Sequence, residues 1–277
     1  MKPLQLIVCA KQVPDPEGPA DAFRVDTEAK KVIPKGIPPV INPFDENALE
    51  AALRIKNQIG AKVTVLSMGE KLSQPVLRKA LAAGADELVL LMDQHFKDLD
   101  SFSTAYVLSR MIKKIETYDL VLTGRQAGDW DFGVTGVLIA EMLKIPAINL
   151  AKKVEIKEGS VFVEKLCDGG YEIVKADMPA LVTVSGESGE LRYISVRSLQ
   201  ASTKIPIGIF SAADLELDLE RLTQRTICNL FAFQGERQCK FAEGESAQDK
   251  AENLVTLMKK DGMMRKIGGN GDLLISR

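Results

Sequence analysis

Leu120-Val121-Leu122-Thr123-Gly124-Arg125-Gln126-Ala127-Gly128-Asp129-Trp130-Asp131-Phe132-Gly133-Val134-Thr135-Gly136 runs from a short apolar segment through a glycine-rich loop into a helix expected from about Gly136 to Leu143. The apolar start is too short for a helix and suits a strand buried on both faces. The loop that follows carries four glycines and is long for a strand-to-helix connection. Glycine lets backbone approach a ligand closely. Free N–H groups at the helix start favour an anion such as phosphate, and Thr135 offers a hydroxyl beside them. The spacing matches neither G-x-G-x-x-G nor G-x-x-x-x-G-K-[ST], so no generic nucleotide motif is present. The chain's single tryptophan also lies here, between Asp129 and Asp131. A tryptophan among glycines and acids more often walls a ligand site or an interface than fills a core.

Upstream, the same alternation repeats. Residues 4–10, 62–67 and 87–91 read as buried strands, with Met68-Gly69 closing the second. Ile41-Asn42-Pro43-Phe44-Asp45-Glu46 reads as a helix start, with Asn42 as N-cap, Pro43 at the first helical position and acids in the first turn. Ala48, Ala52 and Ile55 then share a face, with Leu49 beside them. Further helices are expected over residues 75–83, closed by Gly84, and over 103–115, with Leu108, Met111 and Ile115 on one face. Residues 146–150 close the series as a last strand. Short strands alternating with helices imply a parallel sheet covered on both faces, with right-handed crossovers. In such sheets ligands sit beyond the carboxyl ends of the strands, where the strand order reverses. The loops there are residues 11–19, 68–71 and 124–135.

After residue 150 the pattern changes. Residues 154–156, 160–164 and 172–175 alternate with period two, punctuated by Glu158-Gly159 and Asp168-Gly169-Gly170, which predicts an antiparallel meander appended to the parallel sheet. Residues 180–184 form another buried strand, and from Gly186 onward periodicity is weak apart from a helix over 247–260. A tail that irregular buries itself poorly and suits wrapping a partner. The expected division is a nucleotide-binding domain over 1–190, a partner-recognition segment over 191–205 and a C-terminal arm over 206–277.

Composition excludes several function classes. With 36 Lys+Arg against 38 Asp+Glu, the charge balance gives no electrostatic reason to expect nucleic acid, whose binders need a basic face to neutralise phosphates. No run of 18 apolar residues is available to span a bilayer. The apolar N-terminal stretch is too short for a signal peptide and lacks a cleavage pattern, so a cytoplasmic address is expected. One histidine in 277 residues argues against a Ser-His-Asp triad, a histidine zinc site or a histidine relay. His95 itself reads as a surface-loop residue. Cys9, Cys167, Cys228 and Cys239 form no C-x-x-C and read as buried or idle thiols. Asp129 and Asp131, alternating with Trp130 and Phe132, make a poor metal cage. Lys11, just after the first strand, is either a solvated lysine or a counter-charge to a ligand.

Several of these stretches together resemble the beta subunit of electron transfer flavoprotein. They are Val8-Cys9-Ala10-Lys11-Gln12-Val13-Pro14-Asp15, Asn42-Pro43-Phe44-Asp45-Glu46-Asn47-Ala48-Leu49-Glu50, Leu66-Ser67-Met68-Gly69, and Gly124-Arg125-Gln126-Ala127 with Asp129, Asp131, Thr135 and Gly136. Ala82-Ala83-Gly84-Ala85-Asp86 and Leu191-Arg192-Tyr193 resemble it too. The likeness is continuous over residues 3–205 and looser to about 260.

The resemblance implies an α/β nucleotide-binding domain of the adenine-nucleotide hydrolase-like type. It also implies an electron carrier working with an alpha subunit that supplies most of the site for one FAD, and with a flavin-dependent dehydrogenase, acyl-CoA dehydrogenases being the expected kind. The beta subunit holds a second nucleotide of its own. In simple carriers this is AMP; in electron-bifurcating members it is a second FAD that takes hydride from NADH. By resemblance the nucleotide falls on Cys9, on Asn42, Pro43, Phe44 and Asp45, on Met68, and on the loop from Gly124 to Thr135. The docking segment falls on Arg192, Tyr193, Val196 and Leu199, with Val196 as anchor, and Arg192 is also a candidate for tuning charge near a flavin. Bifurcating members read Gly-Asp-Thr-Ala-Gln-Val-Gly-Pro in the second half of the loop, where this chain has Trp130-Asp131-Phe132-Gly133-Val134-Thr135-Gly136-Val137. Thr135-Gly136 resembles the AMP type, whereas residues 100–105 and 205–215 resemble the bifurcating type, so both nucleotides stay open. The alternative function is a stand-alone adenine-nucleotide-binding regulatory module, which the parallel-sheet domain alone would support and the meander and long tail disfavour.

Overall fold

A computed structural model of the protein describes residues 3–232, 239–266 and 273–275. Met1 and Lys2, and residues 233–238, 267–272 and 276–277 of the expected arm, lie outside the described residues. The chain divides into two units, Met1–Leu230 and Phe231–Arg277.

In the first unit the strands are β1 (Leu4–Cys9), β2 (Gln12–Pro14), β3 (Phe23–Asp26), β4 (Lys31–Pro34), β5 (Pro39–Ile41), β6 (Ala61–Gly69), β7 (Glu87–Met92), β8 (Leu120–Gly124), β9 (Ala147–Lys157), β10 (Ser160–Cys167), β11 (Gly170–Asp177), β12 (Ala180–Val184) and β13 (Gly208–Phe210). The helices are α1 (Pro43–Ile59), α2 (Gln74–Ala83), α3 (Ser101–Lys114), α4 (Thr135–Leu143) and α5 (Val196–Ser202). Nine strands form one sheet in the order β11-β10-β9-β12-β8-β1-β6-β7-β13. Pairings from β9 through β13 are parallel, and β10 is antiparallel to both β9 and β11. The strand order reverses at β1: the chain adds β6 and β7 on one side, then crosses to β8 on the other.

The expected burial on both faces holds in detail. Leu6, Val8, Val63, Val65, Leu88, Leu90, Leu120 and Leu122 pack with α1 and α2 residues such as Leu49, Leu53, Leu77 and Leu81. The intervening Ile7, Leu66, Val89, Leu91 and Val121 pack with Leu108, Met111 and Ile112 of α3 and Ile139 and Leu143 of α4. A period of two thus serves two cores at once, because successive strand side chains point to opposite faces.

Three expectations change. The expected antiparallel meander does extend the edge of the parallel sheet, but the strand that carries it does not stop at residue 150. β9 is one strand that pairs parallel with β12 near its start and antiparallel with β10 beyond it. Between the pairs Val182↔Ile148 and Val184↔Ala151 the register shifts by one residue. Leu150, with φ 57, sits in that bulge, so the strand expected to stop there continues. Second, residues 12–14, read as loop, form a short ribbon with β5 (Gln12↔Ile41 to Pro14↔Pro39), and β3 and β4 make a further hairpin. Third, β13 pairs with β7, so the segment after residue 206 begins as a strand of the main sheet, and the unit boundary falls at Leu230.

The second unit has helix α6 (Ala247–Lys260), matching its expected span, and strands β14 (Met264–Lys266) and β15 (Leu273–Ile275), which pair antiparallel. A capping box starts α6: the Ser246 side chain accepts from the Asp249 N–H while the Asp249 carboxylate accepts from the Ser246 N–H. Among the described residues no helix is long and apolar enough to cross a membrane.

Residues 188–192 are tied to α1 by Asn47, whose Nδ2 donates to the Gly189 carbonyl at 2.7 Å, and by a network centred on Glu50. Glu50, 6% exposed, accepts from the Arg192 backbone N–H at 3.1 Å, Arg192 Nε at 2.9 Å, Arg192 Nη2 at 3.2 Å and Arg54 Nε at 3.2 Å. Arg54 Nη1 in turn donates to the Ser188 carbonyl at 2.8 Å. Glu50→Ala is expected to cost about 1–3 kcal/mol, discounted for the partly exposed arginines. Urea unfolding measures the loss, and limited proteolysis should show new cleavage within residues 186–195; wild-type resistance there would contradict the tie.

Candidate functional site

The carboxyl ends of β1, β6 and β8 open into a cavity of about 480 Å³. Its walls come from all three loops named at the strand ends: Cys9, Lys11 and Gln12 from the first, Met68 to Leu72 from the second, and Gly124 to Gly136, with gaps, from the third. The position follows from the topology, since the strand order reverses at β1.

Asp45 organises this end of the sheet. It lies in the first turn of α1, 7% exposed. Its Oδ2 accepts from the Lys11 N–H at 2.7 Å and its Oδ1 from the Gly124 N–H at 2.9 Å. One carboxylate therefore ties the outgoing ends of β1 and β8 to the start of α1. Burial is the largest influence on this group and pushes its pKa up to about 6, against the lowering effect of the two backbone N–H bonds. Cys9 beside it is buried, and burial, then the charge of Asp45, push its thiol up to about 12. It is a protonated, apolar wall rather than a nucleophile.

Asn42 has a different role from the expected one. Its backbone occupies the N-cap position, but no side-chain capping bond forms. The amide instead reaches across to the loop: Nδ2 donates to the Gln126 carbonyl at 2.9 Å, and Oδ1 accepts from the Gly128 N–H at 3.0 Å. The side chain is fully buried. Arg125 lies with its guanidinium carbon 4.8 Å from the centre of the Phe44 ring, and Gln126 Nε2 donates to Asp131 Oδ1 at 2.8 Å.

The loop glycines serve packing more than ligand approach. A Cβ at Gly124 would meet Phe44 C and Asp45 Oδ1 at 2.6 Å. At Gly136 it would meet Thr123 Oγ1 at 2.6 Å. Gly133 has φ +65, whereas Gly128 has ordinary space around it. Asp131 holds φ 53 without being glycine.

Of the residues singled out in the sequence, Cys9, Asp45, Met68, Gly124, Arg125, Gln126, Ala127, Asp129, Trp130, Phe132, Gly133, Val134 and Thr135 line the cavity. Asn42, Pro43, Phe44, Gly128 and Asp131 do not; Asn42 and Phe44 support the loop from behind. Lys11 is paired, its Nζ 2.6 Å from Asp129 Oδ2. Arg192 lies away from the cavity, held by Glu50, so it is not positioned to tune charge there. Tyr193 (89% exposed), Val196 (68%) and Leu199 (37%) face solvent. His95 bonds Asp93 through Nδ1 at 2.7 Å, and of the four free cysteines only Cys9 is buried.

Two parts of the cavity had no signal in the sequence reading. Phe96, Leu99, Leu108 and Ile139 give it apolar walls. Each is an ordinary core residue by pattern. Arg225 also lines it, with its guanidinium carbon 3.9 Å from the centre of the Trp130 ring. It comes from the aperiodic stretch Thr223-Gln224-Arg225-Thr226, where nothing marks it.

An anionic ligand fits this wall. No side chain caps the N-terminus of α4, which begins at Thr135, and its first turn holds no acid. Arg125 Nε is buried without a hydrogen-bond partner. Among the described residues no cluster of metal-ligating side chains occurs.

Comparison with known proteins agrees with this architecture. The model of the electron transfer flavoprotein domain matches residues 30–215. The electron transfer flavoprotein subunit beta of Thermoanaerobacterium thermosaccharolyticum is 42% identical over 220 residues, covering 79% of this chain and 83% of the relative. The chain belongs to the electron transfer flavoprotein beta-subunit family. Other relatives are the caffeyl-CoA reductase-Etf complex subunit CarD of Acetobacterium woodii, 38% identical over 78% of this chain and 82% of its own, and protein FixA of Azorhizobium caulinodans, 35% identical over 76% of each. Family membership makes this chain one subunit of an electron carrier, implies an alpha-subunit partner and implies flavin involvement.

Two outcomes test the site's construction. Asn42→Ala should cost about 1–3 kcal/mol by leaving Gly128 N–H and Gln126 C=O without their partner. Asn42→Ser should be as damaging, although serine is a good cap; rescue by serine would restore the capping role. The second concerns pH. Burial raises the pKa of Asp45 to about 6 in the folded protein, so the folded state binds this proton more tightly than the unfolded chain does. Its contribution to stability is therefore full below about pH 4, falls as pH rises to about 6 and is flat above, a change of up to about 3 kcal/mol. Denaturant titrations of wild type and Asp45→Asn across that window should differ in slope; parallel curves would count against the assignment.

Proposed function

We propose that this chain is the beta subunit of an electron transfer flavoprotein and binds the adenylate part of a nucleotide in the cavity at the ends of β1, β6 and β8. The carrying observation is that cavity: three loops converge at the reversal of strand order, beside an uncapped helix start and a buried arginine edge. Cys9, Met68 and the backbone of the 124–135 loop form the walls for the nucleotide, and Thr135 with the first N–H groups of α4 faces a phosphate. Asp45 and Asn42 hold these walls in register.

The alpha subunit supplies most of the site for one FAD, and this flavin carries the electrons; the chain's own residues bind, orient and shield. That division accounts for a site without a nucleophile or histidine relay. The donor is a flavin-dependent, acyl-CoA-type dehydrogenase, which docks on the exposed segment Tyr193, Val196 and Leu199, three apolar side chains left in solvent at the end of a strapped-down chain.

The full chain co-expressed with its alpha subunit should carry one adenine nucleotide per beta chain besides the FAD of the alpha subunit, measured by acid extraction and chromatography. Full FAD with no second nucleotide would overturn the assignment of the cavity. Val196→Ala should slow electron transfer from the dehydrogenase severalfold while leaving nucleotide content intact. Loss of nucleotide with unchanged transfer would reverse the two roles.

A further inference from the structure

Two arginine ties bracket the exposed segment that carries Tyr193, Val196 and Leu199. Upstream, Glu50 of α1 holds Arg192: the Arg192 backbone N–H and Nε donate to Oε2, and Nη2 donates to Oε1. Downstream, Arg78 of α2 donates through Nη1 to the Ile205 carbonyl at 2.9 Å and to the Ser202 carbonyl. Leu191, Ile194 and Ile205 pack against the core beside these ties. Between them Tyr193, Val196, Arg197, Leu199, Gln200 and Ala201 are exposed.

The segment cannot hold this shape by itself. α5 has seven residues, and an isolated helix of that length is too short to be stable in water. It has one side-chain cap of its own, Ser195 Oγ accepting from the Ser198 N–H at 3.0 Å. Its burial is slight: Ser202 is buried at the C-terminal end, while Val196 and Leu199 face solvent. The last carbonyls of a helix are acceptors without a partner in the helix, and Arg78 satisfies that of Ser202 with a charge suited to a helix C-terminus. Val196 and Leu199, three residues apart, share a face only while this turn is formed. The shape of the segment therefore comes from α1 and α2. A loose segment would have to be ordered at docking, which weakens affinity without touching the electron step. Neither Glu50 nor Arg78 lines the cavity.

We propose that Glu50 and Arg78 are positioning residues for docking of the dehydrogenase: they set residues 193–201 in their binding shape before the partner arrives. This rests on the reading of Tyr193, Val196 and Leu199 as the docking surface. Glu50 lies little more than one turn after Asp45 on the same helix, so α1 fixes the docking segment and the cavity to one frame.

Steady-state transfer from a purified acyl-CoA dehydrogenase, reduced with butyryl-CoA, to the full heterodimer at varied concentration tests this. Arg78→Ala should raise the KM for the heterodimer about three- to tenfold and leave kcat within about twofold, because the lost bonds set docking rather than the electron step. Glu50→Ala should act in the same direction. Arg78→Lys, which keeps a donor for the carbonyls, should recover most of the loss, and Arg78→Met, which keeps only the stem, should not. Hydrogen exchange of the heterodimer without dehydrogenase should be faster over residues 196–203 in both alanine variants, with FAD and adenine-nucleotide content as in wild type. Unchanged exchange, faster exchange with unchanged KM, or a fall in kcat alone would overturn the proposal. Should Glu50→Ala not fold, the Arg78 series decides. Val196→Ala is the reference. Normal transfer to Val196→Ala, or none to wild type, would bring down the docking reading itself. A raised KM for Val196→Ala beside normal Arg78 variants would bring down this proposal alone.

Discussion

A single buried carboxylate holds the functional end of this molecule together. Asp45 accepts one N–H from the end of β1 and one from the end of β8, and it stands in the first turn of α1. Those two strands are neighbours in space but 79 residues separate Asp45 from Gly124. The bond to Gly124 requires the loop backbone to pass against Phe44 so closely that no Cβ fits. Glycine at 124 is thus a consequence of the carboxylate, and the direction taken by the loop after it is a consequence of the glycine. Asn42 then fixes the same loop farther along, at Gln126 and Gly128. Three residues in four at the start of α1 are buried or supportive, so this helix start acts as a jig for the cavity as well as part of its wall.

Much of the architecture was legible because one physical rule generates it. Strands buried on both faces must be apolar at consecutive positions, and the helices covering them must be apolar at helical spacing. Both patterns stand plainly in residues 4–143. The pattern could not show where β9 ends. A bulge at Leu150 needs only one residue with positive φ, and leucine carries no mark of that conformation. Nor could it show β13, three residues long, whose strand character comes from the open edge of β7 rather than from its own composition.

The site divides along a similar line. Its loops were readable, since chain direction and strand order place them together. The chemical reason for individual residues was less so. Asn42-Pro43 has the form of a helix cap, but a buried amide satisfies whichever backbone groups come nearest, and here they belong to a loop more than 80 residues away. The loop glycines suggested access for a ligand, whereas two of them answer to crowding by protein atoms. Arg225 was invisible because a lone arginine in an aperiodic stretch gains meaning only from the aromatic ring that folding brings beneath it.

The place of β12 between β8 and β9 has a consequence for how this chain reaches its native state. The strands on either side of it are complete by residue 157, but the one that joins them begins at Ala180. During synthesis the β12-facing edge of β8 has no native partner until residues 180–184 have been made. An open edge of Leu120, Val121 and Leu122, all fully buried in the end, is a template for wrong pairing. Ala180–Val184 pairs with both neighbours, so the centre of the sheet is closed by a strand made after the two that flank it.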